Sequence, residues 1–195
     1  MHPEAARLFS AEQALRAEAD EMLTRSGIGA VLQQAGYRAV GSYPMQTMTW
    51  RDLDFESTQE APDWSDHWAV GTKLAATGWP WRQVCTDHYR HPWRPEKGLY
   101  WGLQVAPPGG GETWKLDLWT ARPEEFALAA PKREAWASLM TEEKRSYVLA
   151  VKEAVCMEPE YRKSLLSVHV YEAVLERGVH GVEEFREWWR ATYGA

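Results

Sequence analysis

The sequence predicts an α+β fold, a mixed β-sheet flanked by helices over residues 1–122 followed by a C-terminal helical bundle over residues 123–195. Two observations carry this. Short segments with strand character (Tyr37–Val40, Asp52–Phe55, Gln83–Tyr89, Leu99–Val105 and Thr113–Trp119) are punctuated by Gly- and Pro-bearing turns. From Pro123 onward the apolar residues recur at three- to four-residue spacing, the period of a helix with one buried face.

Taken in order, Ser10-Ala-Glu-Gln13 has the form of a capping box, and Leu15, Ala19, Met22 and Leu23 continue it as a helix that Gly27 stops. Ile28–Gln34 reads as a second short helix, ended by Gly36, and Tyr37–Val40 as a strand delivering Gly41-Ser42. The connector Tyr43–Arg51 has no periodicity, whereas Asp52–Phe55 alternates carboxylates with apolar residues at period two. Ser57–Asp66 reads as a loop and His67–Thr77 as a helix with Trp68, Leu74 and Ala75 inward. Pro107-Pro-Gly-Gly-Gly111 has hairpin-loop chemistry, so Leu99–Val105 and Thr113–Trp119 are predicted to pair antiparallel. Helices follow around Glu134–Met140, Glu142–Met157, Tyr161–Arg177 and Val182–Thr192.

Composition bounds the function. The net charge of −6 argues against a broad nucleic-acid footprint, which is usually basic, so nucleic acid is not the expected partner. No apolar run approaches the roughly 20 residues that span a bilayer, and the acidic N-terminus lacks the pattern of a signal peptide. Cys85 and Cys156 lack metal-ligand spacing and read as reduced thiols, so a cytoplasmic location is expected. Of the twelve tryptophans, Trp64, Trp68, Trp79, Trp81 and Trp93 crowd one third of the chain, as core filling and surface plugging or as a stacking platform.

Chemistry concentrates in Gly41–Phe55. Asp52 and Asp54 are two apart on a predicted strand, so both carboxylates leave the same face and repel unless a counter-charge is supplied. A divalent cation supplies it, and hard oxygen ligands favour Mg²⁺. A solvated acidic turn is the alternative for Asp-x-Asp alone. Gly41-Ser42 adds a backbone that a ligand can approach closely, with a hydroxyl and free N–H groups suited to phosphate.

Together, Val40-Gly41-Ser42, a nine-residue connector and Asp52-Leu53-Asp54-Phe55 resemble the nucleotidyltransferase superfamily of the DNA polymerase beta type, as a small bacterial-type member. The resemblance covers residues 37–120 by motif and the helical third by architecture. It departs at the connector, where Tyr43, Pro44, Met45 and Gln46 replace small residues and Arg51 precedes Asp52.

The resemblance implies a nucleotidyltransferase-like α/β domain over residues 1–122 and a C-terminal helical domain over 123–195. It implies metal-dependent transfer of a nucleoside monophosphate from an NTP, ATP for example, to an acceptor hydroxyl, with release of pyrophosphate. Asp52 and Asp54 would bridge two Mg²⁺ ions, and Asp117, between two leucines of Trp114–Trp119, would be the third metal-binding and catalytic acid or a general base. An edge-strand aspartate facing water is the alternative for Asp117. Gly41, Ser42 and Lys115 would contact the triphosphate, although Lys115 also fits a solvent-facing lysine.

Weaker candidates are His88 and His91, as surface or substrate-cleft lining, and His169, as a hydrogen-bonded core histidine. Arg162 and Lys163 suit either a triphosphate contact or a charged helical turn. The acceptor is expected to be a small molecule or a protein side chain, lodged between the α/β half and the helices. A catalytically inactive binding module, or a toxin–antitoxin component on the same fold, is the competing reading.

Overall fold

The computed structural model describes residues 3–91, 93, 96–127, 129–161 and 163–194. Contacts group the chain into two compact units. A sheet unit comprises Arg16–Met45 and Trp50–Pro131, and a helical unit comprises Met1–Leu15, Gln46–Thr49 and Lys132–Ala195. No helix among the described residues is long and apolar enough to cross a membrane.

The first helix, α1, runs unbroken over Pro3–Arg25 and passes through Ser10 instead of starting there. Pro3 stands where a missing N–H costs nothing, and the Ala- and Glu-rich turn after it contains no helix breaker. Arg7 adds an ion pair to Glu4 one turn earlier, so the capping-box pattern at Ser10 lies inside a helix that begins before it. Helix α2, Ile28–Gln34, follows Gly27, whose φ of 72° lets the chain reverse.

The sheet is built from β1 (Arg38–Val40), β2 (Asp52–Thr58), β3 (Pro80–Asp87), β4 (Leu99–Val105) and β5 (Trp114–Ala121). Their order is β1-β2-β5-β4-β3. The β2–β5 pair is parallel and the other three pairs are antiparallel. The predicted β4–β5 pairing is therefore present.

Alternation sorts the two faces. Leu53, Phe55, Leu116, Leu118, Leu99, Trp101 and Leu103 are buried on one face, while Asp52, Asp54, Lys115, Asp117, Tyr100 and Gln104 stand half-buried on the other. Helix α3, Trp64–Ala76, packs on the β3–β4 side. It starts three residues before the predicted position because the Asp63 carboxylate accepts the backbone N–H groups of Ser65 and Asp66. Gly71 of α3 leaves room for the Trp101 indole, which would lie 2.3 Å from a Cβ there. The Trp101 indole N–H donates to the His67 carbonyl at 3.0 Å.

The short helix α4, Pro123–Phe126, closes the sheet unit's strand region. Helices α5 (Ala129–Leu139), α6 (Glu142–Val155), α7 (Ser167–Tyr171, continuing as a π-helical turn over Glu172–Glu176) and α8 (Val182–Tyr193) follow. In the helical unit the core gathers Val148, Leu149, Val151, Val155, Val170, Val174 and Phe185.

The predicted Tyr161–Arg177 helix begins only at Ser167. Before it, Tyr161 and Leu165 form an isolated bridge, and the Tyr161 and Ser167 hydroxyls pair at 2.7 Å. His169 lies at this start, where its Nδ1 accepts the Leu166 N–H at 3.2 Å; it is a half-exposed helix cap, not a core histidine. Arg162 lies outside the described residues, and Lys163 is exposed.

The tryptophans divide. Trp101, Trp114 and Trp136 are core residues, whereas Trp68, Trp81 and Trp93 are 52%, 63% and 86% exposed, too open for core filling.

Candidate active site

Strand register assembles the carboxylates. In the parallel β2–β5 pair, Asp54 lies opposite Asp117 and Asp52 opposite Lys115. Paired residues of neighbouring strands share a face about 4.8 Å apart, so three acids and one lysine form one four-residue patch. The polypeptide between β2 and β5 places Asp117 sixty-odd residues away in sequence, but beside Asp54 in space.

Lys115 stands within this patch. Its ammonium is 3.2 Å from Asp52 Oδ1 and 2.5 Å from Asp117 Oδ2. Burial works to lower the Lys115 pKa, but the charges of Asp52 and Asp117 outweigh it and hold the ammonium above its ordinary value. Asp52 Oδ2 accepts the Trp50 indole N–H at 3.2 Å, and Asp117 Oδ1 accepts the Tyr100 hydroxyl at 2.7 Å. Burial first, and then the Asp117 charge, push the Tyr100 phenol well above its ordinary pKa, so it stays a donor. Gly102 pairs with Asp117 on β4, and a Cβ there would lie 2.5 Å from the Tyr100 hydroxyl. Glycine at 102 is what lets that hydroxyl reach Asp117.

At the other edge of the patch, β1 pairs Val40 with Asp54. The next residue, Gly41, has φ +70° and opens a turn whose backbone lies against Asp54; a Cβ at Gly41 would be 3.0 Å from Asp54 Oδ2. Ser42 follows in the same turn and is half-buried.

The connector, aperiodic in sequence, is held by side chains. Tyr43 bonds to Asp20. Gln46 accepts from Arg145 at 2.5 Å, Thr47 pairs with the Tyr171 hydroxyl at 2.7 Å, and the buried Lys152 ammonium donates to the Thr47 carbonyl at 2.7 Å. Arg51, just before Asp52, clamps Glu18 through two bonds of 2.7 and 2.9 Å. That bond holds the Glu18 carboxyl below its ordinary pKa.

Beside Asp117 lies an open cavity of about 410 Å³, lined by Thr86, His88, His91, Glu96, Tyr100 and Trp119. A strand would have sent His88 and His91 to opposite faces, but β3 ends at Asp87 and the chain turns, bringing the two rings to 6.1 Å. His88 also lies 4.8 Å from the Trp119 ring and 5.8 Å from Tyr100. Sequence reasoning missed Tyr100 and Trp119; the signal for both was their place on the polar-facing parity of β4 and β5.

The donor chemistry suits a hard divalent cation, since the patch offers carboxylate oxygens and a glycine whose backbone lies close against Asp54. Among the described residues, however, no three acid, imidazole or thiol groups already converge as a metal cage. Two of the three carboxylates are instead bridged by Lys115.

No protein-family model matches the sequence, and no curated protein matches it. Solved structures do. A cytoplasmic RNA terminal U-transferase superposes with TM-score 0.57 at 13% identity, covering 92% of this chain and 55% of the other. The non-canonical poly(A) polymerase complex GLD-2–GLD-3 superposes with TM-score 0.53 at 15% identity, covering 93% and 61%. This chain thus spans little more than half the length of these neighbours. Its mixed five-stranded sheet, flanking helices and helical C-terminal region are those of a nucleotidyltransferase-like fold.

Proposed function

We propose that the protein transfers a nucleoside monophosphate from an NTP to an acceptor hydroxyl, with Mg²⁺, and releases pyrophosphate. The observation that carries this is the patch itself: Asp52, Asp54 and Asp117 on one face of two adjacent parallel strands, with the Gly41 turn against Asp54.

In the reaction the acceptor oxygen attacks the α-phosphorus. The bond from that phosphorus to the α,β-bridging oxygen breaks, and pyrophosphate leaves with the electron pair. Bound Mg²⁺ would be held by Asp52, Asp54 and Asp117, and would neutralise triphosphate charge. Asp117 keeps one lone-pair position on each oxygen beyond those used by Tyr100 and Lys115, so it can take the acceptor proton. Tyr100 fixes the plane of that carboxylate. The Gly41-Ser42 turn presents backbone and hydroxyl donors to the phosphates. The cavity beside Asp117 receives the acceptor, with Tyr100, Trp119, His88 and His91 offering ring faces and hydrogen-bonding edges.

The acceptor is, in our reading, a hydroxyl-bearing small molecule or protein side chain. A second reading is an RNA 3′ hydroxyl, because the matched structures are an RNA terminal U-transferase and a poly(A) polymerase. Net charge alone does not decide against it. A third reading, a binding module without catalysis, draws on the Lys115 bridge.

The test is incubation with each α-labelled NTP and Mg²⁺ against three acceptor arms: an RNA oligonucleotide, a panel of small hydroxyl compounds and the protein itself. Label transfer with stoichiometric pyrophosphate in one arm, lost in Asp54→Asn, is the expected result. Undiminished transfer by Asp54→Asn would sink the catalytic assignment. Nucleotide binding without pyrophosphate in any arm would favour the module.

A further inference from the structure

Lys115 occupies a position that ordinary charge pairing explains only in part. It sits on β5 directly opposite Asp52 and two residues before Asp117, so the strand geometry aims its side chain across the acidic patch and not away from it. Its ammonium bonds to one oxygen of each acid, at 3.2 and 2.5 Å, and it is only 34% exposed. The hydrogen bonds of Trp50 and Tyr100 hold the opposite oxygens of the same two carboxylates, which turns Oδ1 of Asp52 and Oδ2 of Asp117 toward the ammonium. Both carboxylates are thus oriented around a cation the chain carries itself.

We propose that Lys115 is a resident counter-cation of the carboxylate patch, standing between Asp52 and Asp117 where a second divalent ion would otherwise bind, so that the site takes one divalent cation and not two. This rests on the nucleotidyltransferase reading of the same patch and changes its metal requirement. Lys115 already offsets negative charge between Asp52 and Asp117, the two acids its ammonium bridges. A second divalent ion would have to displace the ammonium or accept its repulsion at close range. A permanently attached cation costs no free metal and holds Asp52 and Asp117 together before any nucleotide arrives. The lysine therefore positions the acids instead of contacting phosphate.

The experiment is Mn²⁺ titration of the whole chain without nucleotide or acceptor, followed by electron paramagnetic resonance of free Mn²⁺, on wild type, Lys115→Met and Lys115→Arg. One ion per wild-type chain is expected at the patch, with a second ion admitted and affinity rising at least tenfold in Lys115→Met, and both unchanged in Lys115→Arg. Two ions bound to wild type at the patch, both abolished by Asp52→Asn, would overturn the proposal whether or not the variants fold. So would a folded Lys115→Met that binds Mn²⁺ no more tightly than wild type. Because no turnover is measured, a chain that transfers no nucleotide can still pass this test, and an active transferase can fail it.

Discussion

Replacing Gly41 by alanine perturbs two things at once, and their sizes can be worked separately. The backbone at Gly41 has φ +70°, the left-handed region, where an L-residue with a Cβ costs about 1–2 kcal/mol. The new methyl would also lie 3.0 Å from Asp54 Oδ2, tighter than ordinary contact, so the carboxylate must retreat by a few tenths of an ångström. For a chain of this length about 2–4 °C of melting temperature is lost per kcal/mol, which gives a drop of about 2–8 °C for Gly41→Ala.

Asparagine tolerates the left-handed region far better than alanine but carries the same Cβ. Gly41→Asn should therefore melt closer to wild type while displacing Asp54 as much. Calorimetry reads the first effect and Mn²⁺ affinity the second: stability should rank wild type, Asn, Ala, whereas both variants should lose Mn²⁺ affinity alike. If Gly41→Ala melted with wild type and bound Mn²⁺ equally well, the close approach of this turn to Asp54 would be of no consequence and the reasoning would fail.

Two further predictions concern the scaffold. His67 is buried between Trp64 and Trp101, and burial lowers its pKa from 6.5 to about 4. The unfolded chain takes up this proton near pH 6.5 and the folded chain only near 4, so stability should fall as pH drops through that window. The loss is at most about 3 kcal/mol, and urea melts of His67→Phe should lack this component; an identical pH dependence would refute the assignment. In the helical unit, the fully buried Lys152 donates to the Thr47 carbonyl and lies over the Tyr171 ring. Lys152→Met leaves that carbonyl without its ammonium donor and should lower stability by about 1–3 kcal/mol; a wild-type urea midpoint would show that the buried ammonium contributes nothing net.

Much of the framework was legible because its causes are local. Leu99–Val105 alternates at period two and is a strand between turn residues; Glu142–Val155 repeats at helical spacing and is a helix. Errors sit where a non-local or side-chain effect outweighed the pattern. The Asp63 cap started α3 early, and the bridge between Tyr161 and Leu165 delayed α7 to Ser167. The end of β3 at Asp87 folded His88 and His91 into one cavity.

For the site, the sequence by itself determined that Asp52 and Asp54 share a face, because side chains alternate along any strand, and that Gly41 could turn the chain beside them. It could not determine which strand lies next to β2, or in what register. A one-residue slip of β5 would have sent Asp117 and Lys115 to the apolar face. Only the tertiary structure decided that β2 and β5 pair in parallel with Asp54 opposite Asp117, and that the lysine opposite Asp52 reaches across to bridge two of the three acids. Register is fixed by burying Leu53, Phe55, Leu116 and Leu118 together on the far side of the sheet, a demand of the whole core that no single stretch of sequence expresses.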